Sequence, residues 1–220
     1  MDRGANSALA AGLISITAVH LAYTLNFALT DLEACWPYWE GCLSVSRAVR
    51  SGPGLWLFKI AAVPMAGAMI LAWLWLPALL AGPLIRWLGA LGAVFLLAYA
   101  LALGSDGGFY SWMRRFGVVF YFGLTGLAQL LTAAALNRQC AFLTRREKGP
   151  YLAVLLLTWM AGIASALKRD LVQDAALVDR LENALEWWFA LGLSLAFVAL
   201  SGLVRRVRDH AALEEPDAGV

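Results

Sequence analysis

The stretch LEWWFALGLSLAFVALSGLV, residues 185–204, decides the fold. Its single charge is Glu186, at the second position; everything after it is apolar, small or a hydroxyl. A helix rises about 1.5 Å per residue, so about 20 such residues cross a hydrocarbon layer of about 30 Å. Five more runs of this kind lie at 9–29, 55–80, 84–103, 116–136 and 151–167. Between them the chain turns polar and charged. The pattern predicts an all-α, polytopic membrane protein: a six-transmembrane-helix bundle forming one domain over residues 1–208. The acidic tail, 209–220, should be disordered.

Composition agrees. The chain has 220 residues, 61% of them apolar, against about 45–50% in a soluble domain. A net charge of +2 is too small to suggest nucleic acid. Several of the ten tryptophans sit near span ends, where an amphipathic ring prefers the headgroup layer. The first apolar run is too long for a signal-peptide core of about 7–15 residues and reads as a retained helix. Leu32-Glu33-Ala34-Cys35 has the outline of a lipoprotein cleavage box, but its acidic residue argues against one.

With six spans both termini share a side. That side carries 9 of the 17 Lys and Arg residues and the other carries 8. Placement decides more than number. Arg145-Arg146-Glu147-Lys148 and Arg205-Arg206-Val207-Arg208 are the densest clusters, and both lie with the termini. The positive-inside rule therefore puts the termini in the cytoplasm and the acidic loops, 31–40 and 170–182, outside. Cys35 and Cys42 share the first outer loop. They form either a disulfide or two free thiols, depending on whether that side is oxidising.

Polar residues recur at helical spacing inside four spans: Thr17, His20 and Thr24; Tyr121, Thr125 and Gln129; Thr158, Gly162, Ser165 and Arg169; Glu182, Glu186, Ser194 and Ser201. Most suit hydrogen bonding between helices, at about 0.6–2 kcal/mol each. His20 and Gln129 are the buried polar candidates. His20 suits a structural hydrogen bond, proton handling or a headgroup contact. A carboxylate in hydrocarbon costs at least about 2.5 kcal/mol, so Glu186 should pair with a cation from the same side, among Arg47, Arg50, Lys59, Arg114 and Arg115, with Arg114 or Lys59 foremost. Glu186→Gln should then destabilise the protein and Glu182→Gln should not. Lys59 can also snorkel to the interface. With two His in the chain, no metal set is visible, and no phosphate loop or nucleophile elbow appears. No cofactor is expected.

Two segments carry a resemblance. One is Cys42-Leu43-Ser44-Val45-Ser46-Arg47-Ala48, followed by Gly52-Pro53 and Leu57-Phe58; the other is Glu186-Trp187 opening the last span. With the six-span layout they resemble the Frag/DRAM/Sfk family, which includes the DRAM autophagy modulators and the Golgi factor that remodels GPI-anchor lipid. Where that family often has His-x-x-Gly in the fourth span, this chain has Arg114 and Gly117. The resemblance implies a role with membrane lipids. The Ala-, Leu-, Gly- and Arg-rich composition suits a bacterial relative in an inner membrane.

Three functions follow as expectations. The first is binding or organising membrane lipid at the outer-leaflet interface without catalysis. Its headgroup site would draw on Ser44, Ser46, Arg47, Arg50, Lys59, Arg114, Glu186 and Trp187. The second is a lipid-modifying acyltransferase or hydrolase, with Ser46 as nucleophile and His20 or Glu186 as base. The third is a small transporter. A protein partner is not legible.

Overall fold

A computed structural model of the chain describes residues 2–32 and 35–214, the last two by their backbone only. Eight helices follow in order: α1 Arg3–Leu29, α2 Pro37–Glu40, α3 Val45–Ala48, α4 Gly52–Leu74, α5 Pro83–Ala102, α6 Gly108–Gln139, α7 Arg145–Leu171 and α8 Ala175–Glu214. Among the described residues there is no strand. Six helices are long and apolar enough to cross a membrane, so the chain is a multi-pass membrane protein. Local chemistry sets the ends. The Asp2 carboxylate accepts from the Ala5 amide and caps α1. Pro opens α4 and α5, where its missing N–H costs nothing. Thr144 and Glu147 form a capping box at α7.

On α1, size more than polarity sorts the side chains. The buried face of α1 is Gly4, Ala5, Ala8, Ala11, Gly12 and Ser15, while Leu13, Leu21, Ile60, Val63, Leu91 and Val94 point outward. In water such a surface would be a liability. In lipid, large apolar residues lose nothing by facing outward, and small ones let helix backbones approach. A Cβ on Gly12 would sit 2.6 Å from the Ser194 carbonyl oxygen, so α1 and α8 touch there through main chain.

Contacts run α6–α5–α4–α1–α8–α7, and α6 meets α7 and α8 only lightly. The ring of α1, α4, α5, α6 and α8 encloses a central cavity. Helices α2 and α3 lie in the first loop, at the end opposite the termini, here termed the loop end.

The second span differs from its reading as residues 55–80. α4 stops at Leu74, and 75–82 turn back around Pro77, which therefore lies outside the helix. Pro77 offers no N–H to continue the ladder. Arg86 donates to the Leu76 (2.7 Å) and Ala81 (3.0 Å) carbonyls the turn leaves open. The tail expected to be disordered from residue 209 continues α8 to Glu214, and residues 215–220 lie outside the described residues. Ion pairs from Arg208 to Asp2 and from Arg206 to Glu147, both 3.3 Å, tie this end of α8 to α1 and α7.

One buried amide joins the first loop to the bundle. Asn26 donates to the Ala48 and Ser51 carbonyls at 2.8 and 2.9 Å and accepts from the Gly54 amide at 2.8 Å. It thus serves the C-terminus of α3 and the N-terminus of α4 at once. Asn26→Leu strands two buried backbone groups and a part-buried third, at Ser51, so stability should fall by about 2–4 kcal/mol. Thermal unfolding in detergent measures this; an unchanged midpoint would show that the clamp is dispensable.

Candidate functional site

Helix α8 grips the first loop by its backbone. Asn183 Nδ2 donates to the Gly41 carbonyl (2.8 Å), Trp187 Nε1 to Leu43 (3.0 Å) and Trp188 Nε1 to Tyr38 (3.1 Å). The structure joins Cys35 to Cys42, with their Cα atoms 6.5 Å apart, and so closes a ring around α2. Gly41 ends α2 at φ 58°, and a Cβ there would collide with the Arg180 carbonyl oxygen. Only glycine suits both demands. Ser44 caps α3, its hydroxyl accepting from the Arg47 amide.

This docking shapes a groove of about 660 Å³ at the loop end, between α6 and the α7–α8 pair. One wall carries Ser44, Ser46, Arg47 and Arg50, and the other carries Arg169, Asp179, Glu182 and Glu186. Below them the lining is apolar, with Val118, Val119, Phe122 and Phe189. Arg50 donates to the Ser46 hydroxyl at 3.0 Å. Arg47 meets Asp179 at 3.6 Å and Arg169 meets Glu182 at 3.7 Å, in exposed pairs worth about 0–1 kcal/mol. A polar ligand group can displace such partners.

Glu186 and Phe122 also line the central cavity, which gives water-sized molecules about 50 Å³. Its polar edges include His20, Tyr38, Tyr99 and Tyr121. His20 Nδ1 lies 2.7 Å from the Ile16 carbonyl, which can only accept. Nδ1 therefore carries the proton, and Nε2 accepts from the Tyr38 hydroxyl at 2.7 Å. Burial pushes the Tyr38 phenol up to about 12, so it stays a donor. Trp187 packs edge-on against His20 and Tyr23.

The structure gathers part of the expected set. Ser44, Ser46, Arg47 and Glu186 line the groove together; Trp187 stands beside it and holds the loop. Lys59 and Arg114 do not join them. Lys59 lies over the Trp56 ring, 5.5 Å from its centroid. Arg114 donates to the Ala102 and Ser105 carbonyls where α5 ends. The expected pairing of Glu186 with either is therefore overturned: among the described residues no cation lies within 4.0 Å of it. Glu182 is the paired acid, 3.2 Å from Lys168. Gln129 is buried away from the groove, where its Oε1 accepts from Tyr151 at 2.6 Å. The face Gly162, Ser165 and Arg169, legible from its spacing, forms part of the groove wall. Asn183 and Tyr38 carried no pattern that would single them out. Among the described residues no group of three His, Cys, Asp or Glu side chains could hold a metal.

Fold and groove together define a multi-pass membrane protein with a polar cleft at one end of its bundle. Compared with protein-family models, curated proteins and solved structures, the chain finds no match.

The acids now make a reversed prediction. Lys168 is 9% exposed and Glu182 45% exposed. Glu182→Gln leaves a buried ammonium with only Ser165 as partner, and should cost about 1–3 kcal/mol, discounted for the exposed carboxylate. Glu186→Gln removes an unpaired charge and should leave stability unchanged or raise it. Unfolding of both variants in detergent checks the order; a larger loss in Glu186→Gln refutes it.

Proposed function

We propose that this chain is a lipid-binding membrane protein of the Frag/DRAM/Sfk type, holding a phospholipid headgroup at the outer-leaflet interface without catalysis. The observation that carries the reading is the groove itself, with charged groups at the loop end and an apolar wall beneath. Three guanidiniums (Arg47, Arg50, Arg169) and three carboxylates (Asp179, Glu182, Glu186) line it. Planar guanidinium forks suit a phosphate, and the acids suit an amine. A zwitterionic headgroup such as phosphoethanolamine satisfies both, while an acyl chain runs along Val118, Phe122 and Phe189. The two segments that carry the family resemblance also meet: Trp187 holds the Leu43 carbonyl, and Glu186 lines one groove with Ser44 and Ser46.

Two features favour binding over hydrolysis. Both His20 nitrogens are engaged, by Ile16 and Tyr38. The Ser46 hydroxyl accepts from the Arg50 guanidinium, and among the described residues no hydrogen bond joins it to the Glu186 carboxylate that shares its groove. The small central cavity favours binding over passage. The reading places both termini in the cytoplasm, in a bacterial inner membrane, with the groove outside.

Native mass spectrometry of detergent-purified protein tests the reading. Phosphatidylethanolamine should remain bound where diacylglycerol does not. The double variant Arg47→Gln/Arg50→Gln should retain at least about fivefold less, an effect of the order expected when charge-assisted hydrogen bonds are lost. Equal retention by wild type and variant rejects the proposal. Cysteine labelling in intact cells should reach residues 172–174 and spare 145–149; the opposite pattern would turn the groove to the cytoplasm.

A further inference from the structure

On the other side of α8 lies a second recess, of about 460 Å³, between α1, α2 and α8. Helical geometry separates the two: Trp188 and Leu191 point into this recess, Glu182, Glu186 and Phe189 into the groove. Six of its ten lining residues are Tyr or Trp (Tyr23, Trp36, Tyr38, Trp39, Trp187 and Trp188), joined by His20, Thr24, Pro37 and Leu191.

The rings stand at steep angles. Tyr38 meets Trp188 at 69°, Trp39 meets Trp188 at 71° and Tyr38 meets Trp187 at 59°. Neighbouring rings so arranged form the sides of a box. Each ring carries negative potential on its face.

The polar atoms of the inner rings are already spent. Trp187 Nε1 donates to Leu43, Trp188 Nε1 to the Tyr38 carbonyl, the Tyr38 hydroxyl to His20 and the Tyr23 hydroxyl to the Cys35 carbonyl at 2.7 Å. Thr24 donates to the His20 carbonyl. These groups therefore offer an occupant π-faces and little hydrogen bonding. A primary ammonium, with three N–H bonds to place, would lose its water and find few acceptors in exchange. A quaternary ammonium has no N–H to satisfy, spreads its charge over methyl groups and is drawn to aromatic faces. The Glu40 carboxylate accepts from the Trp36 amide at 3.2 Å and adds negative charge beside the box. The box is also built in advance. Three of its rings (Trp36, Tyr38, Trp39) sit in the segment closed by Cys35 and Cys42, so little ordering remains to oppose binding.

We infer that the recess bounded by Trp36, Tyr38, Trp39 and Trp188 is a binding site for a quaternary ammonium group of the choline type. It shares no lining residue with the Arg47–Glu186 groove, so it stands or falls independently of the proposed function.

Calorimetric titration of the full chain in maltoside micelles provides the test. Choline is compared with its neutral isostere, in which a tert-butyl group replaces the trimethylammonium. Choline should bind at least about threefold more tightly, from the cation–π term. Trp39 is 74% exposed and Trp36 60% exposed, so neither supports the fold. Trp39→Leu and Trp36→Leu keep apolar surface but remove a face, and each should weaken choline about three- to tenfold with an unchanged melting midpoint. Arg47→Gln/Arg50→Gln should leave choline binding intact. Short-chain phosphatidylcholine then identifies the source: tighter binding than choline assigns the site to a lipid headgroup, equal binding to the free cation. An isostere that binds as tightly as choline, or two Trp variants that bind it like wild type, would overturn the inference.

Discussion

Three side-chain N–H groups of one helix take up three main-chain carbonyls of a loop that precedes it by 142 to 150 residues. Non-helical backbone at the end of a membrane bundle must find partners, because its carbonyls cost free energy when left unmet. Asn183, Trp187 and Trp188 supply them. Once the loop is fixed on α8, the rest of the loop end follows. Arg47 and Ser46 are held over the groove, Tyr38 is brought to His20, and Asn26 secures the far end of the loop at α4. Helix α8 therefore serves as the spine between two recesses of opposite chemistry.

The bundle that carries the spine is packed by small residues. Where α1 meets α8 the approach is close enough to leave no room for a Cβ at Gly12. Where α6 faces α7 and α8 the backbones stand apart, and bulky side chains such as Phe122 and Phe189 meet across the gap, 5.4 Å between ring centroids. The groove opens on that wider side. Tight packing on one flank of α8 and loose packing on the other arise from the same helix, which sets Ser194 against Gly12 of α1 and Phe189 toward Phe122 of α6.

Much of this was legible in the sequence. Apolar length alone gave six spans, because the thickness of a hydrocarbon layer leaves little choice of element. Polar groups assigned to one end of the bundle brought Ser44, Ser46, Arg47 and Glu186 into one expected set, though Lys59 and Arg114 stood in it too, and the polar face of α7 was legible from its spacing. The partner of each charge was not legible. Arg114 satisfies carbonyls where α5 ends, and Lys59 finds an indole one turn away; neither choice leaves a trace in hydropathy. Glu182 outranks Glu186 as an ion-pair member only because α7 brings Lys168 to it, a contact between helices that no period encodes. Asn26 and Asn183 act singly, and a single amide has no pattern. The end of α8 was misjudged because Asp2, Glu147 and Phe142 stabilise it from elsewhere in the chain.

The grip of α8 on the loop has a consequence for how such a protein can change. Each of its three hydrogen bonds ends on a peptide oxygen, at Tyr38, Gly41 and Leu43, and peptide oxygens are common to every amino acid. The side chains at 36 and 39 make none of these hydrogen bonds, and Trp39 meets the dock only by its ring edge against Trp188. Substitution there alters what the recess presents while the attachment persists, so the bundle acts as a constant frame carrying an exchangeable face. Gly41 is the exception, since its left-handed backbone and its contact with Arg180 admit no side chain. Variation among descendants of this chain should therefore be absent at 41, and at 36 and 39 should follow the occupant of the recess.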